Sequence, residues 1–247
     1  MSLKGSLTRA LIHGLLCLYP AVAAQAQVTP PTNYGVLLFR GYELLDVFGP
    51  LEALSLVARQ FDKIDLHLIA ESLDPVTIAP QTAAMNSFNS TFSPTINPTH
   101  TFADAPDLDV LIVPGGMGTR APNMTTTLDY ITETYPKLQY LLTVCTGSTL
   151  VAKTGILDGK RATTNKASWD SVITNGPNVD WVPEARWVVD GNIWSSSGIS
   201  AGIDATLAFI AESYGKENAT LISDQMEYEW HEDSSWDPYA GRWGVKG

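Results

Sequence analysis

The stretch Tyr140–Leu157, YLLTVCTGSTLVAKTGIL, limits the folds open to this chain more than any other. Tyr140 to Val144 is a short apolar, β-branched run that reads as a buried strand. The run stops at Cys145. Thr146 and Gly147 then turn the chain into an amphipathic helix that ends near Gly155, a good residue to follow a helix C-terminus. A cysteine between a strand and a helix sits at a sharp corner, the geometry of a nucleophile elbow. The helix behind it points free N–H groups at the sulfur, and its positive end favours thiolate over thiol. The same placement also suits a buried structural cysteine, because free cysteine is among the most buried residue types.

The elbow needs a sheet around it, and the chain has the length for one. Its 247 residues are 45% hydrophobic, enough for a single globular domain with a large core. A formal net charge of −11 argues against nucleic acid or an anionic membrane surface as a partner. No apolar run beyond the N-terminus approaches the ~20 residues needed to span a bilayer. The N-terminus has the layout of a secretory signal. Lys4 and Arg9 come first, then a mostly apolar Ala10 to Leu18, then small residues through Ala26. This predicts a signal peptide over 1–26, a mature domain over 27–247, and a secreted protein. Cleavage there removes Cys17 and leaves Cys145 as the single thiol, with no internal disulfide open to it. Secretion would make glycosylation acceptors of Asn89, Asn123 and Asn218, each in an N-x-S/T sequon.

The rest of the chain supplies strands and helices in alternation. Tyr34 to Phe39 is a buried strand. Leu44 to Pro50 leads into a helix that runs to about Arg59. Asp46 has apolar neighbours on both sides, so desolvation is expected to raise its pKa; it also suits the N-cap of that helix. Ile64 to Ala70 alternates as a strand, with His67 half-buried on it. Pro75 to Pro80 is a short strand, and Thr82 to His100 a hairpin or long surface excursion. Leu108 to Val113 reads as a central parallel strand. Gly115 and Gly116 follow it, where backbone N–H groups become available to a ligand. Thr126 to Leu138 is a helix that returns the chain to the Cys145 strand, completing a βαβ unit. Ligands in such sheets bind beyond the carboxyl ends of the strands, where Asp46, Gly115, Gly116 and Cys145 all fall. Ser168 to Ile173 is a short helix, and a hairpin turns across Asp190-Gly191. Ser200 is placed to cap the helix Ile203–Tyr214, and Lys216 to Tyr228 is a further helix. The tail, 229–247, is acidic and holds Trp230, Trp236 and Trp243, which are expected to pack it onto the body. His231, Glu232 and Asp233 are adjacent rather than at metal-ligand spacing, so no metal site is read there.

Four segments together resemble the DJ-1/PfpI (ThiJ) superfamily: Leu111–Gly116 (LIVPGG), Val144–Gly147 (VCTG), Gly155–Thr164 (GILDGKRATT) and Gly198–Asp204 (GISAGID). The likeness spans Tyr34 to Trp230. Within the superfamily it is strongest to the isonitrile hydratase branch, through Cys-Thr-Gly at the elbow and Leu45–Pro50 (LDVFGP) where many relatives carry glutamate. The resemblance implies an α/β, flavodoxin-like sandwich with a largely parallel sheet and helices on both faces. It also implies a homodimer that acts on a small molecule without a cofactor. It makes Cys145 the nucleophile, Asp46 the acid–base carboxylate, Thr146 a group that positions substrate or water, and Gly115 and Gly116 donors to the intermediate. The chain departs from the superfamily at two places. Asn165 stands where relatives often have histidine after Thr-Thr, and Thr146 stands where protease-like and glyoxalase-like members have histidine. Asn165 can hydrogen-bond in the site but cannot act as a base, which favours a Cys–Asp mechanism over a Cys–His one. The activity implied is hydration of an isonitrile to an N-substituted formamide. The alternatives are a glyoxalase or deglycase acting on reactive carbonyls, and an extracellular thiol sensor or binding protein without turnover.

Overall fold

The computed structural model describes residues 29–245. The signal-peptide segment and Cys17 lie outside the described residues. The first strand, β1 (Asn33–Leu37), is followed by helix α1 (Leu44–Gln60) and strand β2 (Asp65–Ala70). A two-residue ladder, β3 (Val76–Thr77) with β4 (Thr95–Ile96), closes the surface excursion as an antiparallel pair, and β5 (His100–Thr101) returns to the main sheet. Next come β6 (Val110–Val113), α2 (Thr125–Thr134), β7 (Tyr140–Thr143) and α3 (Gly147–Lys153). The second half holds β8 (Arg161–Ala162), α4 (Trp169–Ile173), β9 (Asp180–Trp181), β10 (Trp187–Asp190) and β11 (Ile193–Ser196). Helices α5 (Ala201–Tyr214), α6 (Lys216–Gln225) and α7 (Tyr239–Arg242) complete it.

The main sheet has seven strands in the order β10-β11-β7-β6-β1-β2-β5, all parallel except the β10–β11 hairpin. Its inner five strands run 2-1-6-7-11, the flavodoxin-like winding. Every residue of β6 is buried, as expected of a parallel strand covered on both faces. From β1 the chain crosses to β2 on one side, and from β6 it crosses to β7 on the other. Right-handed crossovers in opposite directions put α1 and α2 on opposite faces. Helix α1 packs with α5 and α6, and α2 packs with α3. The winding reverses between β1 and β6, so the crevice of this sheet opens at their carboxyl ends. Among the described residues, no helix is long and apolar enough to cross a membrane.

Three local expectations change. Helix α1 begins at Leu44, so Asp46 lies in its first turn rather than at the cap, which is Glu43. The helix runs through Pro50, which has no N–H to give to the Asp46 carbonyl. Ser200 occupies the N-cap of α5 but makes no side-chain cap; its hydroxyl accepts from Arg186 Nη2 instead. The hairpin turns on Gly191 and Asn192, since Asp190 already pairs with Ile193.

Because Ile112 is fully buried at the centre of the sheet, Ile112→Ala is expected to lower unfolding free energy by about 3 kcal/mol, and Ile112→Val by about 1 kcal/mol. Urea denaturation monitored by circular dichroism measures both.

Candidate active site

The elbow forms as the sequence pattern requires. Cys145 has φ +57°, a left-handed conformation that a non-glycine residue keeps only when its surroundings enforce it. Here they do. Cys145 N donates to Ser197 O at 3.1 Å, and Cys145 O accepts from Thr164 Oγ1 at 3.0 Å and Ser148 Oγ at 3.2 Å. Gly147 completes the corner by close approach, since a Cβ there would lie 2.1 Å from Val113 O.

Asp46 reaches the same place from α1. It is wholly buried, and its Oδ2 accepts from Gly115 N at 2.8 Å. The loop after β6 is tied to α1 a second time, by Glu43 N to Gly115 O at 2.8 Å. Oδ1 of Asp46 has no partner of good hydrogen-bond geometry, and the Cys145 thiol is the side-chain donor beside the carboxylate. Burial raises the Asp46 pKa to about 7; the Gly115 N–H holds it down, the Glu43 charge pushes it up, and the thiol holds it down.

The thiol moves the opposite way from the expectation set by the helix behind it. Burial first, and the Asp46 charge second, push Cys145 up to about 12. Backbone N–H groups of Ile199 and Thr146 and the side chain of Asn165 donate to the sulfur and lower its pKa, but they do not offset the desolvation. Above about pH 7 the resting pair is therefore thiol and carboxylate, with the proton on sulfur. Its tautomer, thiolate and carboxylic acid, carries the same single proton. The two tautomers differ only by moving one proton between two adjacent groups.

The remaining expected residues are present but engaged differently. Gly115 and Gly116 do not aim their N–H groups at an open site. Gly115 N holds Asp46, and Gly116 N donates to Thr146 Oγ1 at 2.9 Å. Thr146 is buried, and its hydroxyl binds this loop, so it braces the elbow, while its N–H faces the sulfur. Asn165 Oδ1 accepts from Ser168 N at 3.1 Å, which orients the amide so that Nδ2 is the atom turned toward Cys145. Sequence reasoning missed Ile199. It has φ +39°, rare for a β-branched residue, and its backbone N–H lies on the side of the sulfur, where it holds the thiol pKa down. The Gly198-Ile199-Ser200 motif marked a helix start but carried no sign of this strain.

The residues named outside the site are placed as follows. Asn89 and Asn123 are exposed, whereas Asn218 is half-buried in α6 with its amide donating to Tyr214 O at 2.7 Å, which counts against a glycan there. His67 is half-buried on β2, edge-to-face with His100 at 5.0 Å. Trp230 packs against the core and Trp236 stacks on His231 at 3.9 Å, but Trp243 is largely exposed and does not help dock the tail. A 520 Å³ cavity between the ends of β1, β2 and the start of α2 is lined by Arg40, Glu71, Asp74 and Met124, among others, and not by Cys145 or Asp46. A 250 Å³ recess lined by Thr146, Thr149, Arg120 and Lys153 adjoins the elbow.

Residues 35–212 match the DJ-1/PfpI family. The chain is 38% identical over 197 residues to isonitrile hydratase of Pseudomonas putida, covering 78% of this chain and 77% of that protein. It is 27% identical over 163 residues to a deglycase of Pyrococcus abyssi, covering 63% of this chain and 94% of the deglycase. The crystal structure of a ThiJ/PfpI family protein from Pseudomonas syringae superposes with a TM-score of 0.68 at 27% identity, covering 89% of this chain and 84% of that one.

Two outcomes follow from the site. A Cβ on Gly115 would lie 2.5 Å from Thr146 N and 2.9 Å from Asp46 Oδ2. Gly115→Ala is thus expected to fold but to displace Asp46, which a crystal structure of the variant reads directly. Asp46→Asn is expected to be more stable than the wild type at pH 8. Raising the folded pKa of Asp46 from 3.8 to about 7 gives the native state stability that is full below the unfolded value and lost as pH rises to 7. The loss amounts to about 4 kcal/mol. The melting-temperature gap between variant and wild type should therefore open between pH 4 and pH 7 and stay open above.

Proposed function

This chain belongs to the DJ-1/PfpI family, and on that premise we propose that it hydrates an isonitrile to an N-substituted formamide, with Cys145 as nucleophile. The observation that carries the reading is the adjacent, desolvated Asp46–Cys145 pair, with Asp46 bound to Gly115 N, whose pKa values of about 7 and about 12 leave one proton to be shared between those pH values. The likeness to isonitrile hydratase of Pseudomonas putida supports the choice of substrate class.

The terminal carbon of an isonitrile accepts both a nucleophile and a proton, which matches this pair. The sulfur bonds to that carbon while Asp46 takes the thiol proton and hands it to the same carbon, forming a thioimidate. Asp46, again a carboxylate, then removes a proton from water as its oxygen adds to the carbon, and passes that proton to the substrate nitrogen. The carbon–sulfur bond breaks as the hydroxyl proton passes through Asp46 to the sulfur, so the formamide leaves and the thiol is restored. Isonitrile and one water are consumed, and nothing is oxidised or reduced. The Ile199, Thr146 and Asn165 donors stabilise the sulfur as it takes on and gives up charge. Gly115 and Gly116 act one step back, by holding Asp46 and Thr146.

A deglycase or glyoxalase activity is the second reading, favoured by the likeness to the Pyrococcus abyssi deglycase. The absence of histidine at 146 and 165 counts against it. A redox-sensing role is disfavoured because a thiol held up to about 12 exposes little thiolate to oxidants.

The experiment incubates purified protein with an aryl isonitrile and follows the formamide by chromatography. Wild type is expected to turn over, and Cys145→Ala to be inactive with an unchanged circular dichroism spectrum. Retained turnover in Cys145→Ala would overturn the mechanism. Since only the ionised Asp46 can accept the thiol proton, kcat/KM should rise with pH to a plateau with a midpoint near 7, and Asp46→Asn should lose both the rate and the inflection. Methylglyoxal consumption with no formamide would move the assignment to the second reading.

A further inference from the structure

We infer that the C-terminal segment, residues 229–242, is a strap that holds Asn165 and Ile199 against the Cys145 sulfur, with Asp237 as its positioning residue. The segment lies beyond residue 212, where the family match ends, and it is anchored at two points directly behind those two donors.

The first anchor is a buried ion pair. Asp237 Oδ2 lies 3.1 Å from Lys166 Nζ, and the two side chains are 1% and 2% exposed. Lys166 gives hydrogens to three other oxygens: Thr163 Oγ1 at 2.7 Å, Thr164 O at 3.3 Å and Ala185 O at 3.1 Å. An ammonium has three donors, so all are taken, and Asp237 contributes the counter-charge that lets the ammonium stay buried. Its other oxygen accepts from Tyr239 N and Ala240 N and so starts α7. Lys166 is thereby fixed one residue from Asn165 and two from Thr164, whose hydroxyl binds Cys145 O.

The second anchor is Arg186. Its N–H donates to Ser234 O of the tail at 2.7 Å, and its carbonyl accepts from Ser197 N, whose own carbonyl receives Cys145 N. The guanidinium binds Asp204 Oδ2 at 2.7 Å and reaches Ser200 Oγ, the residue after Ile199. The tail covers this pair: His231 N donates to Asp204 Oδ1 at 3.0 Å, and Trp236 lies over the guanidinium. Asn165 and Ile199 are thus each fastened to the strap through one charged residue.

The inference rests on Cys145 being the nucleophile, but its test needs no isonitrile, so the two can fail separately. The full chain carrying Asp46→Asn is treated with iodoacetamide across pH, and capture at Cys145 is read by mass spectrometry apart from Cys17. Removing the Asp46 charge leaves the three donors as the groups that oppose desolvation of the thiolate. Adding Asp237→Asn keeps the shape and the cap of α7 but deletes the counter-charge. It is expected to move the capture inflection up by at least half a pH unit as Asn165 loses its hold on the sulfur. An inflection that stays put while the melting temperature falls overturns the inference, as does one that moves down because the site has merely been wetted. If Asp237→Asn does not fold, Trp236→Ala, whose ring is 39% exposed, replaces it. The expectation is then a smaller upward shift, and no shift overturns the inference.

Discussion

The hydrogen bond from Gly115 N to Asp46 Oδ2 joins the three parts of the chain that make this site. It connects the first turn of α1 to the loop after β6, and that loop in turn holds Thr146 at the elbow through Gly116 N. Without it, a wholly buried carboxylate would have one oxygen unpaired beside another that already lacks a well-aligned partner. Such a group could remain ionised only at a much higher pH than about 7. One backbone donor therefore holds Asp46 in position and keeps its pKa below where burial alone would put it. The glycine is required for the same reason, since the carboxylate and the elbow backbone occupy the space a side chain would take.

The electrostatics of the pair bear on two pictures of the Cys145 sulfur. A short helix with its N-terminus at a sulfur argues for a preformed thiolate. Here desolvation and a neighbouring carboxylate outweigh it, and the sulfur keeps its proton at rest. That arrangement suits an uncharged electrophile such as an isonitrile carbon, which must gain a proton as it gains sulfur. It also protects the only cysteine of the described residues, since a thiol with little thiolate character reacts slowly with peroxide.

Much of the fold was legible in the sequence, because it is written in local periodicity. The runs at Tyr34, Ile64, Leu108 and Tyr140 became strands within a residue or two, and the reversal of winding brought their carboxyl ends together. Asp46, Gly115 and Cys145 could be assigned to one crevice on that basis alone. What could not be read is which donor each group uses. Gly115 and Asp46 are 69 residues apart, and Gly116 and Thr146 are 30 apart, so the N–H groups that looked free were committed across the sheet. The donors that face the sulfur come from Asn165 and from Ile199, whose unusual backbone angle is imposed by tertiary context rather than by its own preference. Asp46 read as a helix cap because an acidic residue before an apolar run usually is one; the helix instead begins earlier and passes through Pro50.

The tail shows a different limit. Its acidic, tryptophan-rich composition suggested packing, and two of its three tryptophans do pack. The residue that matters most there is Asp237, whose side chain is 1% exposed in a segment whose other carboxylates are exposed. Burying an aspartate and a lysine together is weakly stabilising at best, because the desolvation of both charges offsets their attraction. A well-packed apolar pair would cover the same surface. What the ion pair adds is direction: it fixes Lys166, and with it the turn that carries Thr164 and Asn165, in one arrangement relative to Cys145. The segment of this chain outside the family match is thus coupled to the elbow at the core of that match, through charges whose value lies in geometry more than in stability.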